Sequence, residues 1–256
     1  LFGKILERGT VIAIDPRLSN VAAKAHEWLP VLPGTDGALA GAMAHVLLVE
    51  GLWNKEFVGD FKDGKNLFAA GKTIDEATFA EKETHGLVKW WNLELKDRTP
   101  AWAEKECGIP AAQIVRVARM MGKAAPKTAV WMGPGVGMTP RGTYASMAVY
   151  ALNGLLGSID AEGGVLQASS VPIGAMPKSD AYLDDVAKSA GKFKKLDGRG
   201  AKAMPAMMNA RPGSGVVTNN IANGMLKDPG AAKMLISTWS NFAFSCTGAE
   251  RWEKAL

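Results

Sequence analysis

The chain has 256 residues, 47% hydrophobic and 21% charged, which is apolar surface enough to offset chain-ordering entropy and excludes wholesale disorder. Its net charge is +5, but the basic residues form no dense block, so nucleic-acid binding gains little support. Two cysteines, Cys107 and Cys246, exclude a disulfide scaffold or a Cys-rich metal centre within this stretch, and no run of 18 apolar residues offers a membrane span.

The opening residues 1–9 (LFGKILERG) read as a helix and residues 10–15 (TVIAID) as a buried parallel strand closed by Pro16. That order is the second half of a βαβ unit, and the last residues (GAERWEKAL) again read as helix, so the sequence is expected to be part of a longer polypeptide. Residues 19–27 look helical; Pro30 and Pro33 make 28–33 extended. Gly34-Thr35-Asp36-Gly37 opens a helix that Thr35 or Asp36 can cap, with Ala38, Ala42, Val46 and Val49 at helical spacing. Residues 59–84 are polar and Gly-rich and are expected to form a surface insertion of loops and short helices.

Thr99-Pro100 pairs an N-cap with proline at the first helical position, and that helix ends at Cys107-Gly108. A second helix follows Pro110 and carries Ile114, Val117, Ala118 and Met121 on one face. Residues 127–132 (KTAVWM) predict a strand leading into a glycine loop, GPGVGMTPRG, and then a helix over 144–156 that Gly157 ends. Between residues 165 and 215 the composition shifts to Gly, Pro, Met and Lys, marking a boundary. A helix over 219–226, a strand over 234–239 (MLISTW) and a last helix complete the chain. The alternation predicts an α/β fold, a Rossmann-like parallel sheet with helices on both faces, divided into 1–164 and 165–256.

Four features carry chemistry, each with a plainer alternative. Asp15 at a strand tip suits ribose hydroxyls or guanine N–H groups, and Arg17 a base or phosphate; Asp15 could equally cap a turn before Pro16. Gly34-Thr35-Asp36 offers backbone N–H groups to an anion, or simply starts a helix. The glycine loop matches neither a G-x-G-x-x-G fingerprint nor a P-loop; it lets a flat cofactor approach, or makes a tight turn, and Arg141 is its one cation. Asn241 could bond a pterin or base edge, or form a local Asx turn. His26, His45 and His85 lack metal-ligand spacing and read as surface or satisfied core residues.

Together these motifs resemble the molybdopterin oxidoreductases of the dimethyl sulfoxide reductase type. VIAIDPRLSN…VLPGTDGALAGAMAHVLLVEG is similar to the family stretch that grips guanosine, WMGPGVGMTPRG to the loop reaching the pterin, and ISTWSNFAFSCTGAERWEKAL to the element meeting a second dinucleotide. Carried over residue by residue, Asp15, Arg17 and Asp36 would hold guanosine, with Gly34 and Thr35 shaping the turn. Gly133, Gly135, Met138 and Thr139 would line the pterin side, and Asn241 would contact the second dinucleotide. Two departures stand out: Thr139-Pro140-Arg141 where many relatives carry Gln-His, and Asn241-Phe242 where many carry Asn-Pro.

The resemblance implies the middle of a catalytic subunit, α/β domains for molybdopterin guanine dinucleotide at 1–164 and at the start of 165–256, and a metal ligand outside this stretch. It implies a bis-molybdopterin guanine dinucleotide cofactor with molybdenum or tungsten, and a [4Fe-4S] cluster in a preceding part. The glycine loop and NGLLGSIDAEGG look most like the thiosulfate, polysulfide, tetrathionate and arsenate reductases, which implies two-electron reduction of a sulfur or arsenic oxyanion in anaerobic respiration. Partners so implied are an iron–sulfur electron-transfer subunit, a membrane anchor subunit and a small oxyanion substrate, with no nucleic acid and no direct membrane insertion. The implied compartment is the periplasm, with the cytoplasm as the alternative. Two rivals remain: a non-catalytic electron-transfer relative without molybdenum, and a nucleotide-dependent dehydrogenase, against which the missing G-x-G-x-x-G counts.

Overall fold

A computed structural model describes residues 2–168, 171, 174, 179–190, 194–202 and 217–256. The chain divides into two compact units, Leu1–Ser170 and Val171–Leu256.

The first unit is built around helix α2, Asp36–Val49. Ten consecutive residues of α2, Leu39 through Leu48, are buried, so the helix is apolar on every side rather than along one stripe. Alanines 40, 42 and 44 and Gly41 keep it slim enough to be surrounded closely. Its neighbours are α5 (Pro100–Cys107), α6 (Ala111–Ala124) and α7 (Gly142–Leu155). In α6 the residues that face the core are Ile114, Val117, Ala118 and Met121, the four picked out by their spacing. Helix α5 begins with Thr99 accepting from the Trp102 N–H and Pro100 at the first position, and ends at Gly108 in the left-handed region.

After α1 (Phe2–Arg8), strands β1 (Ile12–Ile14) and β2 (Glu27–Leu29) pair in parallel, Ile12 opposite Glu27 and Ile14 opposite Leu29. Residues 19–27, expected as helix, hold only a 3-10 turn at Ala22–Lys24, because pairing with β1 draws the chain straight from His26 onward. Glu27 is clasped by Arg116 of α6 at 2.7 and 2.9 Å and by Gln113 at 3.1 Å, which fixes the strand pair to the helical layer. One turn further along α6, Arg119 holds Glu50 through two bonds of 2.8 Å.

Residues 59–84 differ most from expectation. They follow α3 (Lys55–Val58) and form an antiparallel pair, β3 (Gly59–Phe61) with β4 (Phe79–Glu81), leading to α4 (Leu87–Leu93). Phe61 and Phe79 face each other in register and pack edge-on at 5.0 Å between ring centres. Phe68 joins them, and Trp53 and Trp91 close the cluster. The segment is exposed along most of its length, as expected of a surface insertion, but it is strand-paired and sends three phenylalanines into the core.

The described residues hold two two-stranded sheets and no wider parallel sheet. Residues 127–132 form no strand; the Asn153 side chain of α7 donates to the Val130 carbonyl at 2.9 Å and accepts from its N–H at 2.8 Å, taking the place of a neighbouring strand. Residues 234–239 form no strand either. Met234 and Ile236 are exposed and Trp239 takes a φ of +53°, which ends any extended run. The second unit contains α8 (Asp185–Ala190), α9 (Thr218–Lys227), α10 (Phe242–Ser245) and α11 (Ala249–Ala255), with Trp252 buried and stacked on Phe242 at 4.7 Å. The composition shift over 165–215 falls in part outside the described residues. Among the described residues no helix is long and apolar enough to cross a membrane.

Two predictions test this core. Asn153→Leu removes both partners of Val130 and should destabilise the protein by about 1–3 kcal/mol in urea unfolding. His45, 4% exposed, lies stacked on Trp91 with Nδ1 donating to the Leu95 carbonyl at 2.6 Å. Burial lowers its pKa, against the opposing pull of the Leu95 carbonyl and Asp97. The folded state thus resists a proton that the unfolded chain takes up near pH ~6.5, so stability should fall as pH drops below that value. In His45→Leu the fall of the urea midpoint between neutral and acid pH should be smaller.

Candidate functional site

Three turns gather at the carboxyl end of the β1–β2 pair. The first is Asp15, directly after β1, whose N–H donates to the Leu29 carbonyl at 3.2 Å. Its carboxylate accepts from the Arg17 N–H at 2.9 Å, and that bond together with the Ser19 hydroxyl holds its pKa below the usual carboxylate range. The charged form is therefore favoured and fixed in direction; the Arg17 charge adds to that effect, while its guanidinium makes no hydrogen bond or ion pair among the described residues. The local turn, one of the two readings of Asp15, is present.

The second turn follows β2. Gly34 takes a φ of +85°, where an L side chain is strained, and α2 starts two residues later. Thr35 occupies the N-cap position, yet its hydroxyl donates to the Leu32 carbonyl at 2.7 Å and caps nothing. The N–H groups of Asp36 and Gly37 have no acceptor among the described residues, and the Asp36 carboxylate is likewise without a hydrogen bond or ion pair there. A carboxylate acceptor thus lies beside two open donors at the positive end of a 14-residue helix.

The third is the glycine loop, which leads into α7. Met138 bonds back to the Pro134 and Gly135 carbonyls at 3.2 Å, and the Thr139 hydroxyl donates to the Val136 carbonyl at 3.0 Å. The loop then folds hard onto itself: a Cβ on Gly142 would lie 2.4 Å from the Gly137 carbonyl oxygen, so no larger residue fits without moving backbone. A Cβ on Gly133 or Gly135 would instead meet nothing within 4 Å. Met138 is 81% exposed and Trp131, just before the loop, 84%.

The second and third turns meet. The Cβ position of Gly34 lies 3.9 Å from the Thr139 methyl, and that of Gly37 lies 3.3 Å from Ala145. Helices α2 and α7 therefore begin side by side, and their positive ends face the same neighbourhood. Of the residues expected from the sequence, the structure brings Gly34 against Thr139, with Thr35 and Asp36 following in one turn and Met138 preceding in the other, and sets Asp15 at the end of β1. Asn241 belongs to the second unit, where it is the N-cap of α10 and accepts from the Phe244 N–H at 3.2 Å. Gly37 and Gly142 were not singled out; their role is steric and shows only once the two helices are placed. Among the described residues no cluster of His, Cys, Asp and Glu is arranged to hold a metal.

Glycine turns, open amides at adjoining helix starts and a carboxylate acceptor thus lie in one neighbourhood of the first unit. Comparison with known proteins identifies the class. The pattern of the family "Molybdopterin oxidoreductase" matches residues 3–235, and the chain belongs to that family. It is 56% identical over 253 residues, 98% of its length, to the molybdopterin-containing subunit of an arsenate respiratory reductase from Chrysiogenes arsenatis. It is 47% identical over its whole length to the corresponding subunit from Shewanella sp. strain ANA-3. Over 65% of the chain it is 32% identical to the molybdopterin-containing subunit of a thiosulfate reductase from Salmonella typhimurium, of which it covers 19%. It spans about 30% of the length of each of the two arsenate reductase subunits.

Gly142→Ala should cost about 1–3 kcal/mol of stability and speed amide hydrogen exchange across residues 133–142. Gly133→Ala, with open space at its Cβ, should leave stability within about 0.5 kcal/mol of the parent.

Proposed function

We propose that this chain is the cofactor-holding middle portion of a catalytic subunit that reduces an arsenic or sulfur oxyanion with a molybdenum or tungsten centre on two molybdopterin guanine dinucleotides. The observation that carries the cofactor role is the meeting of the Gly34 turn with the glycine loop at two helix starts. The substrate class is supported by the 56% and 47% identities to arsenate respiratory reductase subunits, with the thiosulfate reductase subunit more distant.

The residues present fit such a group. Guanine presents N–H donors, for which Asp36 is an unengaged acceptor, and Asp15 is an ionised carboxylate suited to a ribose hydroxyl. Arg17 adds a guanidinium for the base or phosphate. Gly34 and Thr35 give the turn its shape. Gly133 and Gly135 leave the loop surface open to a flat pterin, and Met138 and Thr139 border it. Asn241 would serve a second dinucleotide from the second unit. When bound, the cofactor supplies a metal for two-electron transfer; the chain's own residues bind it, orient it and surround it with dipoles.

In this reading residues 1–164 belong to one dinucleotide-binding domain and 165–256 begin another, and β1–β2 is part of a Rossmann-like sheet. An iron–sulfur cluster, a partner subunit that passes electrons, a membrane anchor subunit and a periplasmic setting complete the proposal.

The native polypeptide should contain about one molybdenum or tungsten and about four irons per chain, with guanosine monophosphate released on acid hydrolysis, and should reduce arsenate. Iron without the heavier metal would replace this reading with an electron-transfer subunit, and a metal-free protein would favour the dehydrogenase. Gly133→Ala and Gly135→Ala should lower pterin content while leaving the cofactor-free unfolding curve in place.

A further inference from the structure

We propose that Arg141 pairs with phosphate oxygens of the pterin dinucleotide and holds the cofactor from the loop side. The inference rests on the cofactor reading above and assigns it a residue that reading leaves idle.

The first argument comes from what three of the five other arginines of the first unit do; Arg8 and Arg17, like Arg141, have no side-chain hydrogen bond or ion pair among the described residues. Arg116 and Arg119 each grip a glutamate through two bonds, and Arg98 lies 4.4 Å over the Trp102 ring. These three tie elements together. Arg141 is exposed and has no side-chain hydrogen bond, ion pair or ring contact among the described residues. The fold does not use its guanidinium.

The second argument is conformational. Arg141 is the N-cap residue of α7 with φ +63°. A side chain in the left-handed region costs about 1–2 kcal/mol, and glycine would relieve it. Its carbonyl accepts from the Tyr144 and Ala145 N–H groups, a task any residue performs. An arginine at a site that favours glycine, with its charged end unpaired, points to a partner outside the protein chain.

The third is the setting. Arg141 stands two residues beyond Thr139, which lies near the Gly34 turn, and two before Thr143, whose N–H has no acceptor among the described residues. Asp36 across that contact is anionic and suits guanine donors, not phosphate. A dinucleotide needs both: an acceptor for its base and cations for its phosphates. A planar guanidinium meets two phosphate oxygens at once.

The test uses the native polypeptide and three variants, Arg141→Gly, Arg141→Lys and Asp36→Ala. The pterin retained per chain is measured after dialysis at low and high salt, together with the thermal midpoint of cofactor-free protein. Arg141→Gly should retain about tenfold less pterin than the parent at high salt, the scale of one charge-assisted hydrogen bond. Its cofactor-free midpoint should be unchanged or higher, which separates lost binding from lost folding. Arg141→Lys should recover much of the retention at low salt. Equal retention by Arg141→Gly and the parent at both salts would overturn the inference. If Asp36→Ala loses pterin while Arg141→Gly does not, the cofactor site stands and the role of Arg141 falls. A parent protein without pterin would remove both.

Discussion

The burial of α2 on every side from Leu39 to Leu48 constrains everything around it. A helix with an apolar stripe needs one neighbour; a helix apolar on all sides must be enclosed. The alanines and Gly41 let α5, α6 and α7 approach closely, and the aromatic cluster of Trp53, Phe61, Phe68, Phe79 and Trp91 completes the same core. Enclosure has a directional consequence. Because α7 lies against α2 from its first turn, Gly37 against Ala145, the two helix starts cannot separate, and the glycine segments that precede them are brought together. The site is thus positioned by the packing of a helix whose own residues are almost all apolar.

Polar contacts then set what the core leaves free. Glu27 with Arg116 and Gln113 fixes the strand pair, and Glu50 with Arg119 fixes the far end of α2. Exposed ion pairs of this kind contribute little to stability singly, but bidentate geometry makes them orienting contacts. Asn153 holds the approach to the glycine loop in the same way, an amide taking the place of a strand edge. The carboxyl end of β1–β2 consequently carries turns whose paths are determined while several of their amides and charged groups stay unengaged.

Much of this was legible in the sequence where the signal is local. Thr99-Pro100, Cys107-Gly108 and the spacing of Ile114, Val117, Ala118 and Met121 specify two helices because caps and one-faced burial are written within a few residues. The turn before α2 was legible for the same reason. Three things were not. Residues 59–84 hide three core phenylalanines among polar neighbours, and their value depends on packing against one another and against Trp53 and Trp91, which flank the segment on either side. Residues 127–132 and 234–239 carry strand-like composition, but a strand also needs a neighbour, which composition does not report. The capping role of Thr35 was lost to a competing acceptor, the Leu32 carbonyl. At the site, Asp15, Gly34 and Asp36 could be named from their types, whereas Gly37 and Gly142 matter through contacts across the fold.

The packing of Gly142 onto the Gly137 carbonyl bears on how such a loop can diversify. The crossing is backbone against backbone, and the Thr139 hydroxyl on the Val136 carbonyl is a side-chain bond that reinforces it. The side chains of Met138 and Arg141 are not fasteners of that closure. They stand on a fixed frame, and a lineage can replace them one at a time, altering what the loop presents without redrawing the loop itself.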